Sequence, residues 1–275
     1  MRDGKTGRKL PSFSGGREWL VSGLAIGSLG LLGGFIAVPI LALVVWTVSE
    51  EAWGAMASPV ARDALLLSMK TTAATMTLLI VVGTPAAYVL ARGTFRGSRA
   101  LNTLVELPIV LPPSAAGIAL LLTFGRLGLV GGYLNALGIT LSFTTVAVVM
   151  AEVFVAAPFY VRQAATGFGA VDRAVEEAAL VDGAGRSTVF FRVTVPLAFP
   201  ALVSGALTAW ARALGEFGAT IIFAGNFRGI TQTIPLAIYS EFQSNIDASV
   251  ALSVLVLGFA FAVILAVRYL TSKAS

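Results

Sequence analysis

The sequence predicts an all-α membrane protein with six transmembrane helices. Of its 275 residues, 57% are hydrophobic and only 12% are charged, and the mean hydropathy is +0.88. A soluble domain carries about 25% charged residues because its surface faces water. The low charge and the long apolar stretches therefore indicate that lipid surrounds much of the chain.

Six stretches of the chain are apolar and long enough to cross a bilayer, which requires about 20 residues each. They run from Trp19 to Val48, Ala64 to Ala91, Leu107 to Phe124, Ile139 to Val161, Pro196 to Ala224, and Ala248 to Val267. The first follows a basic segment, as the apolar part of a signal peptide does. A cleavable apolar region is only about 7–15 residues long, so we interpret this stretch as an uncleaved first span.

The distribution of Lys and Arg predicts that both termini are cytoplasmic, because cytoplasmic loops carry an excess of these residues. With that orientation, Arg212 lies within the membrane and four cationic residues lie on the opposite side, namely Arg62, Lys70, Arg126 and Arg228. The cytoplasmic segments hold the other fourteen, which are Arg2, Lys5, Arg8, Lys9, Arg17, Arg92, Arg96, Arg99, Arg162, Arg173, Arg186, Arg192, Arg268 and Lys273. The net charge of +5 is thus explained by topology, and no binding of nucleic acid is expected.

Cysteine and histidine are both absent from the chain. Their absence excludes disulfides, thiolate nucleophiles, Cys/His zinc sites and histidine-based proton relays. The remaining carboxylates and hydroxyls are scattered, with no nucleophile next to a base. We therefore expect no catalytic residue and no metal site.

Three prolines interrupt the third apolar stretch, in the segment from Leu107 to Pro113. Each lacks an N–H donor and disrupts a helical hydrogen bond, so the helix should break near Pro112 and Pro113. Such a break has two interpretations. It is either a kink that serves packing alone or irregular backbone lining a water-filled path.

The longest polar segment beyond the tail is the loop from residue 162 to 195, between the fourth and fifth spans. Asp172 can cap a short helix on which apolar residues recur at helical spacing. Gly183 then allows a sharp reversal into a second short segment that leads to Pro196. A helical hairpin of this kind suits docking to a partner protein, and the alternative is an interfacial loop lying on lipid headgroups.

This loop resembles the signature loop of ABC importer permeases, in which Glu-Ala-Ala is followed by three residues, a glycine and a later proline. The matching residues are Glu177, Ala178, Ala179, Asp182, Gly183, Ala184, Val193, Val195 and Pro196. In that family the loop forms the coupling helix, which lies in a groove of a cytoplasmic ATPase subunit. The resemblance implies the type I importer permease fold, with residues 1–18 as a cytoplasmic tail, 19–63 as the first helix and an extracytoplasmic loop, and 64–270 as the shared transmembrane domain.

Three further segments look like the molybdate branch of these permeases. They are residues 107–113, residues 211–220 with the sequence ARALGEFGAT, and residues 231–239 with TQTIPLAIY. The resemblance implies import of molybdate or tungstate. Sulfate and thiosulfate permeases share part of the second segment, so a sulfate permease is the alternative.

Charges within the apolar stretches are further candidate functional residues, because a charge near mid-bilayer usually faces protein or water. Arg212 and Glu216 are four residues apart in the fifth stretch and can pair across one helix face. The pair is either structural or part of an oxyanion path and its gate, together with Gly215, Pro112 and Pro113. Glu152 and Arg126 are weaker candidates, and Glu106 marks the end of a span.

The resemblance also implies partners. The permease would act as two identical chains with two ATPase subunits, an oxyanion-binding protein and surrounding lipid, in the cytoplasmic membrane. The chain has no Gly-x-x-x-x-Gly-Lys-Ser/Thr loop, so ATP and magnesium would be used by the partner and no cofactor bound by this chain. An ion-coupled secondary transporter, the competing transport class, would favour inverted repeats, and none is evident.

Overall fold

The computed structural model describes residues 15–47, 50–93 and 95–272. These residues form helices joined by turns, with no strand among them. The first fourteen residues of the predicted cytoplasmic tail, and Lys273, lie outside the described residues. The chain divides into two units, residues 1–48 and 49–275.

The first unit contains helix α1, Gly15–Trp46, with Pro39 inside it. Its segment Gly23–Trp46 is long and apolar enough to span a membrane, which confirms the first predicted span. Thr47 follows the helix, and its hydroxyl donates to the Leu43 carbonyl at 2.6 Å.

The second unit begins with the short helix α2, Glu50–Met56, and a long helical rod. The rod consists of α3, Pro59–Leu78, a π-helical turn, Leu79–Gly83, and α4, Thr84–Arg92. Ser58 caps it by accepting a hydrogen bond from Ala61 N at 3.2 Å, and Pro59 occupies the first turn, where no donor is needed.

The third span is broken at Pro112 and Pro113, as the sequence predicts. Helix α5, Ser98–Val110, and helix α6, Pro113–Phe124, meet at an angle of 116° across two extended residues. The short helix α7, Gly131–Ala136, follows. The pair counts as the sixth span beside five unbroken ones in the described part of the chain.

The fourth span is longer than predicted and the fifth begins earlier, so the polar loop between them is shorter. Helix α8, Thr145–Ala170, continues past Val161, and the exposed helix α9, Arg173–Val181, follows it. The next span already starts with α10, Arg186–Val189, and a second π-helical turn, Phe190–Thr194. The wider π turn lies immediately before Pro196, which cannot donate an i−4 hydrogen bond, and the helix continues through it.

The fifth span does not continue to Ala224 as one helix, contrary to the prediction. Helix α11, Val195–Leu214, ends at Gly215, and helix α12, Gly218–Phe223, is separate. A further short helix, α13, Ile234–Phe242, was not expected, and α14, Ile246–Ser272, contains the sixth span. The first N–H of α13, on Ile234, donates to Ser68 Oγ of α3 at 2.9 Å.

Helix α8 lies at the centre of the second unit, packed against α3, α4, α5, α11 and α12. Small residues allow the close approach of α8 and α11, as is common in membrane proteins. Gly167 of α8 faces Ala201 of α11, and a Cβ added at Gly167 would lie 2.4 Å from the Ala201 Cβ. This contact holds together the two helices that flank α9.

Candidate functional site

The exposed turn around α9 has the local geometry that its sequence predicts. Asp172 Oδ1 accepts a hydrogen bond from Ala174 N at 2.9 Å, so the carboxylate caps the helix. After Val181 the chain reverses through Gly183, whose φ is +91°. Gly183 N donates to the Leu180 carbonyl, and Ala184 N donates to the Ala179 carbonyl, which is the Schellman arrangement.

Glycine is required at this reversal because a side chain with a Cβ is strained at positive φ. Nothing lies within 4 Å of a Cβ added at Gly183. The constraint is therefore conformational, and the space around the turn is open.

The outer face of α9 is uncovered. Glu177, Ala178 and Asp182 are exposed, while Ala179 and Ala184 are half-buried. Apolar side chains are exposed on the same helix, and Val181 is 87% exposed. An exposed helix that mixes apolar and acidic side chains has the character of a protein-binding surface.

The inner face of α9 carries a contact that the sequence analysis missed. Glu176 Oε1 lies 2.8 Å from Arg92 Nη2 of α4, and the two side chains form an ion pair. This Arg92 nitrogen makes no hydrogen bond, so the contact is electrostatic. The same oxygen accepts a hydrogen bond from Thr194 Oγ1 at 2.6 Å. Arg92 Nη1 also donates to the Val171 carbonyl at 3.2 Å. The sequence signal for this site was an acidic residue next to Glu177, without any indication of its partners.

The intramembrane ion pair exists, but not on one continuous helix. Arg212 Nη2 lies 2.6 Å from Glu216 Oε2, while Glu216 stands beyond the end of α11. Its other oxygen, Oε1, accepts a hydrogen bond from Ala219 N of α12 at 2.7 Å. Glu216 is 2% exposed, so this buried carboxylate joins the two helices at the break. Gly215, the last residue of the α11 turn, is also at this break.

The break in the third span lies next to the break in the fifth. Pro113, at the start of α6, packs against Gly218, where an added Cβ would come within 2.8 Å of the Pro113 Cβ. Pro112 is the extended residue before α6 and is exposed. The structure thus brings two of the predicted gate segments together, and their role in a gate stays a prediction.

A second buried carboxylate, Glu152 of α8, holds α3. Its Oε1 accepts from Thr71 Oγ1 at 2.8 Å, and its Oε2 accepts from Thr75 Oγ1 at 2.7 Å. Glu152 is 2% exposed and is close enough to Glu216 to interact electrostatically. The hydroxyls at Ser68, Thr71 and Thr75 recur on one face of an apolar helix, which is a signal the sequence analysis did not use.

The other charged candidates are at the surface. Arg126 is exposed, and Glu106 Oε1 lies 3.9 Å from Arg162 Nε in a half-exposed pair. Among residues 15–47, 50–93 and 95–272, no group of three or more acidic side chains is placed to hold a metal ion.

Residues 80–275 match the family described as binding-protein-dependent transport system inner membrane component. The chain is 46% identical over 235 residues to the molybdenum transport system permease protein ModB of Mycobacterium tuberculosis, covering 85% of this chain and 88% of the relative. It is 39% identical to ModB of Escherichia coli, covering 74% and 89%. It is 32% identical to the molybdate/tungstate transport system permease protein WtpB of Pyrococcus abyssi, covering 94% and 99%.

The fold is also similar to a solved transporter. A chain of the crystal structure of a bacterial alginate ABC transporter, in complex with an alginate pentasaccharide-bound periplasmic protein, superposes with a TM-score of 0.72. The two chains are 14% identical, with 94% of this chain and 96% of the other covered, so this likeness concerns the fold alone. The protein belongs to the family of binding-protein-dependent transport system inner membrane components, the multi-pass inner-membrane permeases of ABC transporters.

Proposed function

We propose that the chain is the permease subunit of an ATP-driven importer that translocates molybdate or tungstate across the cytoplasmic membrane. The observation that carries this proposal is the 46% identity to ModB of Mycobacterium tuberculosis over 85% of the chain. The near full-length match to WtpB of Pyrococcus abyssi supports the same oxyanion class. No relative named above is a sulfate permease.

The permease would act as a pair of identical chains, each presenting α9 to one ATPase subunit. The exposed apolar and acidic face of α9 supports this docking role, because such a face suits a protein groove better than bulk water. The pair of chains would enclose the pathway, since one chain with six spans offers few helices for it. A binding protein would deliver the anion to the extracytoplasmic side.

Transport would proceed by alternating access. Closure of the two ATPase subunits on ATP would bring the paired α9 helices together and open the pathway outward, and release after hydrolysis would reverse the change. In this scheme the adjoining breaks at Pro113 and at Gly215 to Phe217 are the points where two spans can change direction. The Arg212–Glu216 pair fixes the second break, because Glu216 binds both α11 and α12.

Uptake by reconstituted vesicles tests the substrate. Permease, ATPase and binding protein are assembled, and radiolabelled molybdate and sulfate are supplied separately and in competition. We expect molybdate to be taken up in preference to sulfate. If sulfate is taken up while molybdate is neither taken up nor inhibits the uptake of sulfate, the proposed substrate class is contradicted.

The orientation is tested with single cysteines, since the chain has none of its own. Lys5→Cys and Lys273→Cys should be inaccessible to an impermeant thiol reagent applied from the periplasmic side. Arg126→Cys, on the predicted extracytoplasmic side, is the positive control. Labelling of position 5 or 273 from outside would overturn the cytoplasmic assignment of that terminus.

A further inference from the structure

Helix α9 is connected to the membrane helices through one carboxylate. Glu176 Oε1 lies 2.8 Å from Arg92 of α4 and accepts the Thr194 hydroxyl at 2.6 Å, in the turn that precedes α11. Thr194 is fully buried, and the side chains of Arg92 and Glu176 are 16% and 12% exposed. An ion pair with this little exposure is weakly screened by water, so it holds its partners more firmly than a surface pair.

An aromatic cluster adjoins this carboxylate and joins the same helices. The Tyr88 ring of α4 lies 5.6 Å from Phe168 of α8 and 5.0 Å from Phe190 of the second π turn, both in edge-on contacts. Arg92 lies 5.9 Å from the centre of the Tyr88 ring, within cation–π distance. The guanidinium therefore belongs to both the aromatic cluster and the polar contact with Glu176.

The two neighbouring carboxylates of α9 face opposite ways. Glu177 is exposed on the outer face, where a partner would dock, whereas Glu176 points at the membrane helices. Arg92 also binds the Val171 carbonyl, at the corner where α8 turns into α9. A displacement of α9 must therefore either carry α4 and the start of α11 with it or break these contacts.

We propose that Glu176 is the positioning residue that transmits the movement of α9 to α4 and α11. The outer face of α9 receives the force from the ATPase, and the Glu176 carboxylate passes it inward through Arg92 and Thr194. This inference rests on the proposed docking role of α9. It adds that docking and transmission are carried by different residues of the same helix.

The test compares uptake with ATP hydrolysis in the full reconstituted transporter, using Glu176→Gln. Glutamine keeps an oxygen that can accept the Thr194 hydroxyl but loses the charge that pairs with Arg92. We expect normal recovery of the permease with its ATPase and retained ATP hydrolysis. Molybdate uptake per ATP hydrolysed should fall about tenfold, within the range for residues that carry coupling between sites.

Thr194 supplies a matched pair of variants in case Glu176→Gln does not insert. Thr194→Val removes the hydroxyl at similar volume and should lower uptake per ATP, while Thr194→Ser keeps the hydroxyl and should preserve it. Glu106→Gln, which alters a half-exposed carboxylate with a 3.9 Å partner, is the control and should leave uptake per ATP unchanged. Equal uptake per ATP for Thr194→Val and Thr194→Ser, or for Glu176→Gln and the unaltered chain, would overturn the proposal.

Loss of ATPase association in Glu176→Gln would also overturn it, because the residue would then act in docking. Spin labels add a direct measurement at the exposed positions Gly185→Cys, directly after the reversal that ends α9, and Val89→Cys on α4. In Glu176→Gln, ATP should still change the distance between the two labels at position 185 of the paired chains but should no longer change the distance between the labels at position 89. A normal change at both positions rejects the transmission role, whereas no change at position 185 in the transporter with Glu176 intact rejects the docking role itself.

Discussion

The turn around α9 and the buried polar layer near Glu152 and Glu216 are built in opposite ways. In the turn, the cap at Asp172 and the reversal at Gly183 use hydrogen bonds between residues at most five apart in sequence, and the outer side chains are open to solvent. In the buried layer, Glu152 binds hydroxyls from 77 and 81 residues away and is 2% exposed. The ends of the turn are thus determined by local contacts, and its outer side is available to a partner protein. The buried layer is determined by the packing of three spans and is not accessible to a partner protein.

This contrast has a functional consequence. A substitution in the turn should alter communication with a partner without unfolding the spans. A substitution in the buried layer should destabilise the spans themselves, because a buried polar group left without its partner costs free energy. The following variants separate the two regions, in order of expected effect.

Gly183→Val should abolish uptake while the chain still inserts and pairs. A β-branched residue at φ of +91° costs about 1–3 kcal/mol, which the turn can relieve only by losing its Schellman geometry. Uptake and co-purification of the ATPase are measured at matched membrane levels. The control is Gly185→Val, which has φ of −69° and open space around it, and it should transport normally. Normal uptake by Gly183→Val would show that the turn does not couple the subunits.

Arg212→Met should destabilise the permease by about 3–5 kcal/mol, because it leaves the Glu216 charge buried without its partner. The double variant Arg212→Met with Glu216→Gln removes both charges and should recover most of that loss. Denaturant unfolding of the purified permease measures stability, and vesicle uptake is measured alongside. Recovery of both stability and uptake in the double variant indicates a purely structural pair. Recovered stability with uptake still absent indicates that the Arg212 charge acts on the anion.

Glu152→Ala should lower the free energy of unfolding by about 1–3 kcal/mol, because the Thr71 and Thr75 hydroxyls lose their shared acceptor inside the protein. Glu152→Gln keeps one acceptor oxygen and should lose less. Thermal unfolding in detergent provides the measurement, with ATPase co-purification as a second readout. Lost ATPase binding with unchanged thermal stability would contradict the separation of the two regions.

Glu177→Ala should have the smallest effect of the four, weakening association with the ATPase while leaving the stability of the permease unchanged. The carboxylate is exposed, and within the part of the chain that the structure describes it forms no hydrogen bond or ion pair. Loss of one rim charge lowers the rate of association more than it raises dissociation. The rate at which the permease associates with surface-immobilised ATPase is measured at two salt concentrations. The difference in this rate between Glu177→Ala and the unaltered chain should shrink at high salt. An unchanged association rate at low salt would remove Glu177 from the docking surface.

The sequence allowed good prediction wherever the determinants are local. Asp172 and Gly183 predicted the start and end of α9, and Pro112 and Pro113 predicted the break of the third span. It failed where a distant residue decides the structure. The fifth span was predicted to run through Glu216 because its composition is apolar, but the buried carboxylate bonds Ala219 N and begins a new helix.

Glu176 shows the same limit within the candidate site. Its neighbour Glu177 belongs to a recognisable motif, whereas the partners of Glu176 lie 84 residues before it, at Arg92, and 18 residues after it, at Thr194. Long-range pairs of this kind become visible only when the spans are packed. The motif therefore predicted the docking face of α9 and missed its inner face.

The two π-helical turns set the rotational phase of the residues that follow them. One apolar groove is lined by both turns, with Ile80 and Val81 from the first and Phe190 and Phe191 from the second. A π turn accommodates one residue more than an α turn within nearly the same rotation, so the helix beyond it keeps the phase that an uninterrupted α-helix one residue shorter would give. Arg92 follows the first turn and Thr194 closes the second. Each π turn thus lets its span carry one additional residue while Arg92 and Thr194 still face Glu176 of α9.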